Sequence, residues 1–220
     1  MLLPELTYDE VSLSKLYAEN CLSYCGCPIA KSFLYEDEMV LKLLEEWSNG
    51  TKMALSEALE ILTGSFAISE DAAREVLVIL NSRLGAGFAT AVVGDIEELI
   101  SKSYSAGKSS ILTPKQIAFN LHIADQSAIA WLQEFDMFWI GNYYKRNVSE
   151  LIAGIVEDGL QQGLGRADVG KELKDFFDTY PGLSAKPDVY WRGVAANGMN
   201  RSRNFGMIQG WQDVGVQYLE

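Results

Sequence analysis

The sequence predicts an all-α protein, a multi-helix bundle with room for two helical subdomains and a strand-like C-terminal tail. Three observations carry this. Apolar residues recur at three- and four-residue spacings almost throughout. The periodic runs open on capping residues and close on glycine or proline. Strict alternation is confined to Val214–Leu219.

Taken in order, Thr7 and Glu10 form a capping box ahead of Val11, Leu13, Leu16 and Tyr17, and Gly26 and Pro28 stop that helix. Met39, Val40, Leu43, Leu44 and Trp47 mark a second helix, for which Asn49-Gly50 is the expected terminator; a short helix over Leu55–Leu62 follows and ends at Gly64. Ser69 caps the next, with Glu70 and Asp71 set to meet its positive end. Its stripe is Ala73, Val76, Leu77, Leu80 and Leu84, and Gly85-Ala86-Gly87 is expected to break it. Phe88, Val92, Ile96, Leu99 and Ile100 form the following helix. The segment 105–110, Ser-Ala-Gly-Lys-Ser-Ser, has the most loop-like composition in the chain and reads as a linker.

Beyond it, Thr113-Pro114 with Gln116 starts a long helix with Ile117, Leu121, Ala124, Ala128, Trp131, Leu132 and Phe135 on one stripe, broken or kinked at Gly141-Asn142. Val148, Leu151, Ile152, Ile155 and Val156 form another, ending in Gly159–Gly165. Ala167–Tyr180 is short, with Val169, Leu173, Phe176 and Phe177 inward, and the last helix runs from about Pro187 to Trp211. The linker divides the chain into an acidic helical region, 1–110, and a second helical region, 111–220.

The 220 residues carry 18 bases against 30 acids, a net charge of −12. Residues 1–110 hold eight bases and seventeen acids, and only residues 181–220, with four bases and three acids, escape the acidic character. Duplex DNA binders draw most of their affinity from neutralising phosphates, so the charge argues against DNA binding by the whole chain and leaves a local contact through the C-terminal helix. The start lacks the basic and apolar regions of a secretory signal, and no uninterrupted apolar run reaches the length of a bilayer span. The chain therefore reads as soluble at synthesis.

Chemistry finds little foothold. Cys21, Cys25 and Cys27 with the single histidine, His122, do not match a zinc pattern, and an odd, tight cysteine cluster is no disulfide framework. Gly107-Lys108-Ser109 resembles the end of a phosphate loop, but Lys102 stands where that motif needs glycine. Gly163-Leu164-Gly165 follows a helix, where a dinucleotide fingerprint needs a strand. His122 and Asp125 could pair on a helix, yet a lone histidine between Leu121 and Ile123 reads as packing. No catalytic residue, metal ligand or cofactor site is expected, and the chain is expected not to be an enzyme.

The last helix is the most informative element. Small residues recur at every fourth position, Gly198, Ser202, Gly206 and Gly210. Each glycine costs a helix about 1 kcal/mol relative to alanine, so three on one ridge call for close approach by another backbone. Because the helix turns about 100° per residue, the ridge winds across its face. Arg192, Arg201, Arg203 and Asn204 lie nearby as candidate contacts for a protein or nucleic-acid partner. The ridge serves either tight packing inside the chain or a partner surface.

From about residue 124 to 219 the sequence resembles the phage Mu F-like minor head proteins, the head-morphogenesis family. The residues that carry this are Ala130-Trp131-Leu132, Phe138-Trp139-Ile140-Gly141-Asn142, Gly159 through Arg166 with Val169 and Leu173, Tyr190-Trp191, Val194-Ala195-Ala196-Asn197, and Arg201 through Gly206. The chain departs from the family at Ala195–Met199, where many members read Ala-Arg-Thr-Glu-Thr. Its 220 residues also do not include the strand-rich segment with which members commonly continue. The resemblance implies a minor protein of the virion interior that meets the host cytoplasm before assembly. Its implied partners are portal, capsid and scaffold proteins, and it would aid head assembly and genome packaging or delivery by binding. The alternative is a helical delivery or packaging module of a toxin or effector whose active domain lies beyond residue 220.

Overall fold

The computed structural model describes residues 28–111, 123–180, 183 and 188–215. Among them the chain is all-α: α1 (Pro28–Ile61), α2 (Glu70–Asn81), a π-helical turn (Ser82–Gly87), α3 (Phe88–Ser109), α4 (Ile123–Gly141), α5 (Tyr143–Asn147), α6 (Ser149–Gln162), α7 (Arg166–Thr179) and α8 (Asp188–Asp213). No strand forms among the described residues; one isolated antiparallel bridge joins Ala67 and Gly165. The helix expected from Val11, the three cysteines, Thr113–His122 and the tail beyond Gly215 lie outside the described residues.

Two of the expected breaks are corrected. Asn49-Gly50 does not end a helix, and α1 runs on for 34 residues. Trp47, Thr51, Ala54 and Ala58 are all buried across that point, and this continuing inward stripe outweighs one helical glycine. The Thr51 hydroxyl also donates to Ser48 O at 3.0 Å. Gly85-Ala86-Gly87 does not separate two helices either. It closes the π-helical turn that carries α2 into α3, so Glu70–Ser109 is one 40-residue helical rod. Thr90 donates its hydroxyl to Ala86 O there, at 2.8 Å.

A window of this rod has mean hydropathy 1.7, so by length and composition alone it could cross a membrane. Counting uninterrupted runs missed this apolar content. Val76, Leu80, Leu84, Phe88, Val92, Ile96, Ile100 and Tyr104 are buried at every fourth position, while 28% of that window is buried within the chain.

The expected linker is corrected too. Ser105–Ser109 is the end of α3, and the described residues cluster into two compact units that each draw on both sides of residue 110. One unit takes the described parts of Val40–Asp95 and Phe135–Val194. Its centre is aromatic: Trp47 meets Phe88 and Tyr143 edge-on at 5.0 Å, and Tyr143 lies 4.6 Å from Trp191. Such edge-to-face pairs add to the gain from burial. In the same unit α6 ends on Gly163 at φ +67°, with Leu164 N–H donating back to Gly159 O, a left-handed cap that favours glycine. The chain then returns as α7, whose Val169 fills the space a side chain at Gly159 would need.

The other unit takes the described parts of Met1–Met39, Ile96–Glu134 and Ala195–Glu220. Ile96, Leu99, Ile100, Leu132, Ala195 and Met199 are buried in it. It holds the features that bear on function.

Candidate functional site

The small-residue ridge is an internal seam. Gly206 lies against the carbonyl of Tyr104 and Gly107 against the carbonyl of Arg203, so a side-chain carbon at either would strike backbone. At Gly210 such a carbon would sit 2.9 Å from Lys108 O. Gly198 is buried, and Ser202, fully buried, donates to Gly198 O at 2.8 Å. From the facing helix Ser103 donates to Met199 O at 2.9 Å. Interhelical distance follows the size of the residues at the contact, and here α3 and α8 meet backbone to backbone. The composition of residues 105–110 that reads as a linker is explained by this contact: α3 needs small residues where α8 crosses it.

Beneath the seam lies a buried charge cluster. The Lys108 ammonium, 2% exposed, bridges Asp125 Oδ2 and Asp213 Oδ2, each at 2.7 Å. Tyr104 donates its hydroxyl to Asp125 Oδ1, also at 2.7 Å. Burial disfavours the charged lysine, but its hydrogen bonds to Asp125 and Asp213 outweigh that and raise its pKa. Burial, together with the hydrogen bond to Asp125, raises that of Tyr104. The cluster ties α3 to α4 and to the last turn of α8. Lys108 here is a buried structural cation in a helix and cradles no phosphate. Asp125, which the sequence offered as a partner for His122, holds Tyr104 and Lys108.

The other candidates are distributed around α8. Arg192, Arg201 and Arg203 are half-buried and each is already engaged within the chain. Arg203 also gives its backbone to the seam. Asn204 is exposed. At about 100° per residue, Asn204 shares an outward arc of about 80° with Asn197, Asn200, Ile208 and Trp211. Ala195, Ser202, Gly206 and Asp213 fall on the opposite side. All five outward residues are exposed, Ile208 to 40% and Trp211 to 44%. On one flank Phe205 rests on Trp131 with ring centroids 5.7 Å apart. Trp131, expected on the inward stripe of its helix, is 48% exposed.

Of this outward stripe, Asn204 was expected from the sequence as a contact and Ile208 and Trp211 were missed, though the three- and four-residue spacing is visible there, inside a stretch, Val189–Gln212, without a carboxylate. The Lys108 cluster had no such signal. Among the described residues no group of three or more histidine, cysteine or acidic side chains could hold a metal. Comparison with protein-family profiles, curated proteins and solved structures finds no match to this chain.

Proposed function

We propose that this chain is a non-catalytic helical binding protein of the phage head-morphogenesis kind. In this reading it associates with portal and capsid proteins and, from the virion interior, aids head assembly and genome packaging or delivery. One observation supports it above the rest. The helix that carries much of the resemblance turns one side into a closed seam and the other, uncharged and partly aromatic, to solvent. On a chain of net charge −12, a carboxylate-free face exposing Trp211 and Ile208 suits protein contact, because exposed apolar groups beside neutral polar ones are what interfaces bury. The Lys108 cluster supports the non-catalytic half of the reading, since its ammonium and the Tyr104 hydroxyl are both committed to carboxylates inside the chain.

The test is recovery of the tagged chain from an induced lysogen, read by mass spectrometry. Portal, scaffold or coat protein at stoichiometric level is the expected result. Recovery of a small immunity-like protein without any head protein would overturn the reading in favour of a delivery module.

A further inference from the structure

We propose that the outward stripe of α8 seats a second copy of this chain, packed antiparallel about a two-fold axis at Asn204. The inference rests on the reading of this stripe as a protein-contact surface and names its occupant.

Charge narrows the choice first. Two copies of a chain at −12 repel each other, so a self-contact needs a face without carboxylates, and α8 supplies one from Val189 to Gln212. A strongly basic or acidic partner would be met by opposite charge, and the five outward residues carry none. Composition narrows it further. Asparagine is a poor helix former, about 0.6 kcal/mol worse than alanine at an exposed interior site, yet three stand in line here. An asparagine amide both donates and accepts, so it is complementary to itself, which is what a two-fold contact demands of the residue on its axis.

Spacing then fits the geometry. Asn197, Asn200, Asn204, Ile208 and Trp211 are placed symmetrically about Asn204 in the sequence. An antiparallel pairing sets Asn204 against the partner's Asn204, Ile208 against the partner's Asn200, and Trp211 against the partner's Asn197. The Trp211 indole N–H then faces an amide carbonyl. Ile208 and Trp211, now in water, become covered, and the Trp131–Phe205 pair lies on the rim. Asparagine is short enough to let the two helices approach closely.

The experiment is sedimentation velocity on the full chain from ~1 to ~100 µM, with Asn204→Asp and Ile208→Glu as variants. Each places like charges at or beside the axis on an exposed side chain, so far-UV circular dichroism and thermal midpoint should stay as in the unchanged chain. A dimer that weakens roughly tenfold or more in both variants is the expected result. Asn204→Cys, made in a chain whose Cys21, Cys25 and Cys27 are replaced by serine, adds a positive readout: under mild oxidation the intermolecular cross-link should map to position 204 of both copies by peptide analysis. A monomer across the whole range overturns the proposal, as does a dimer indifferent to both charge variants or a cross-link mapped elsewhere. A monomer that still recovers head proteins leaves the proposed function standing, whereas a dimer that never recovers them removes that function and keeps this contact.

Discussion

Lys108 occupies a place where a lysine is costly, and two aspartates make it tenable. Removing one member of a buried ion pair leaves the other charge without compensation, at about 3–5 kcal/mol. Lys108→Met should therefore destabilise the chain by about that much in chemical denaturation. Asp213→Asn should cost much less, because Asp213 is 24% open to water and Asp125 keeps its ammonium. The buried tyrosines add a pH signature. Burial pushes Tyr143 and Tyr144 up from 10.0 to about 12, and Lys108 is also raised. For a raised pKa the stabilisation is complete below the unfolded value and is lost as pH climbs through the folded one. Thermal midpoints should accordingly hold to about pH 10 and fall between pH 10 and 12. Tyr144→Phe should make that fall shallower and leave the neutral-pH midpoint unchanged or higher, since the Tyr144 hydroxyl is buried without a hydrogen-bond partner among the described residues. None of this was legible in the sequence. Tyr104 and Lys108 lie 21 and 17 residues from Asp125, Asp213 is far beyond them, and no local pattern announces a contact made only by folding.

At the scale of the helix, glycine shows what sequence can and cannot say. Gly50 lies within α1 with nothing within 4 Å of where its side chain would stand, whereas a side chain at Gly206 would enter the Tyr104 carbonyl. Gly50→Ala should stabilise by about 1 kcal/mol, and Gly206→Ala should destabilise by several, on the scale of a buried clash; denaturant midpoints of the two variants should move in opposite directions. The inward stripes were legible because their period belongs to the helix itself: Val76, Leu80, Leu84, Phe88, Val169 and Leu173 are buried as expected. The meaning of a small residue was not. Gly50 reads as a stop and is none, Gly107 reads as a linker and is a point of contact, and Gly163 reads as a turn and is one. What separates them is the neighbouring helix, which lies far away in sequence. On α8 the four-residue ridge did announce a close approach, because three glycines in one helix need a reason. Whether the neighbour came from the same chain was settled only by Tyr104 and Lys108 lying against it.

For the whole molecule, the all-α class was legible, and the partition at residue 110 was not how the compact units divide. Each unit is stitched from segments on both sides of residue 110, and α1, α3, α4 and α8 each contribute residues to both. Fragments 1–110 and 111–220 should therefore lack native structure when made alone. Heteronuclear NMR spectra with narrow dispersion from each would bear this out, and a well-dispersed spectrum from either would contradict it. The reason such a division escapes sequence reading is that composition marks flexible peptide, and here the same composition marks crowding. The π-helical turn at Ser82–Gly87 has a different kind of consequence. An i→i+5 turn holds one residue more than an α-turn, so this is the single place in the 40-residue rod where length can change without changing phase. Deleting the exposed Ala86 should convert the turn to α-helix and keep Phe88, Val92 and Ile96 facing inward. Deleting Thr90, equally exposed, should rotate the helix beyond it by about 100° relative to what precedes it and turn its core residues outward. Melting curves of the two shortened chains would show a cooperative transition for the first and none for the second. The rod thus keeps its slack in one turn, and that is where an insertion or deletion in a related chain would be tolerated.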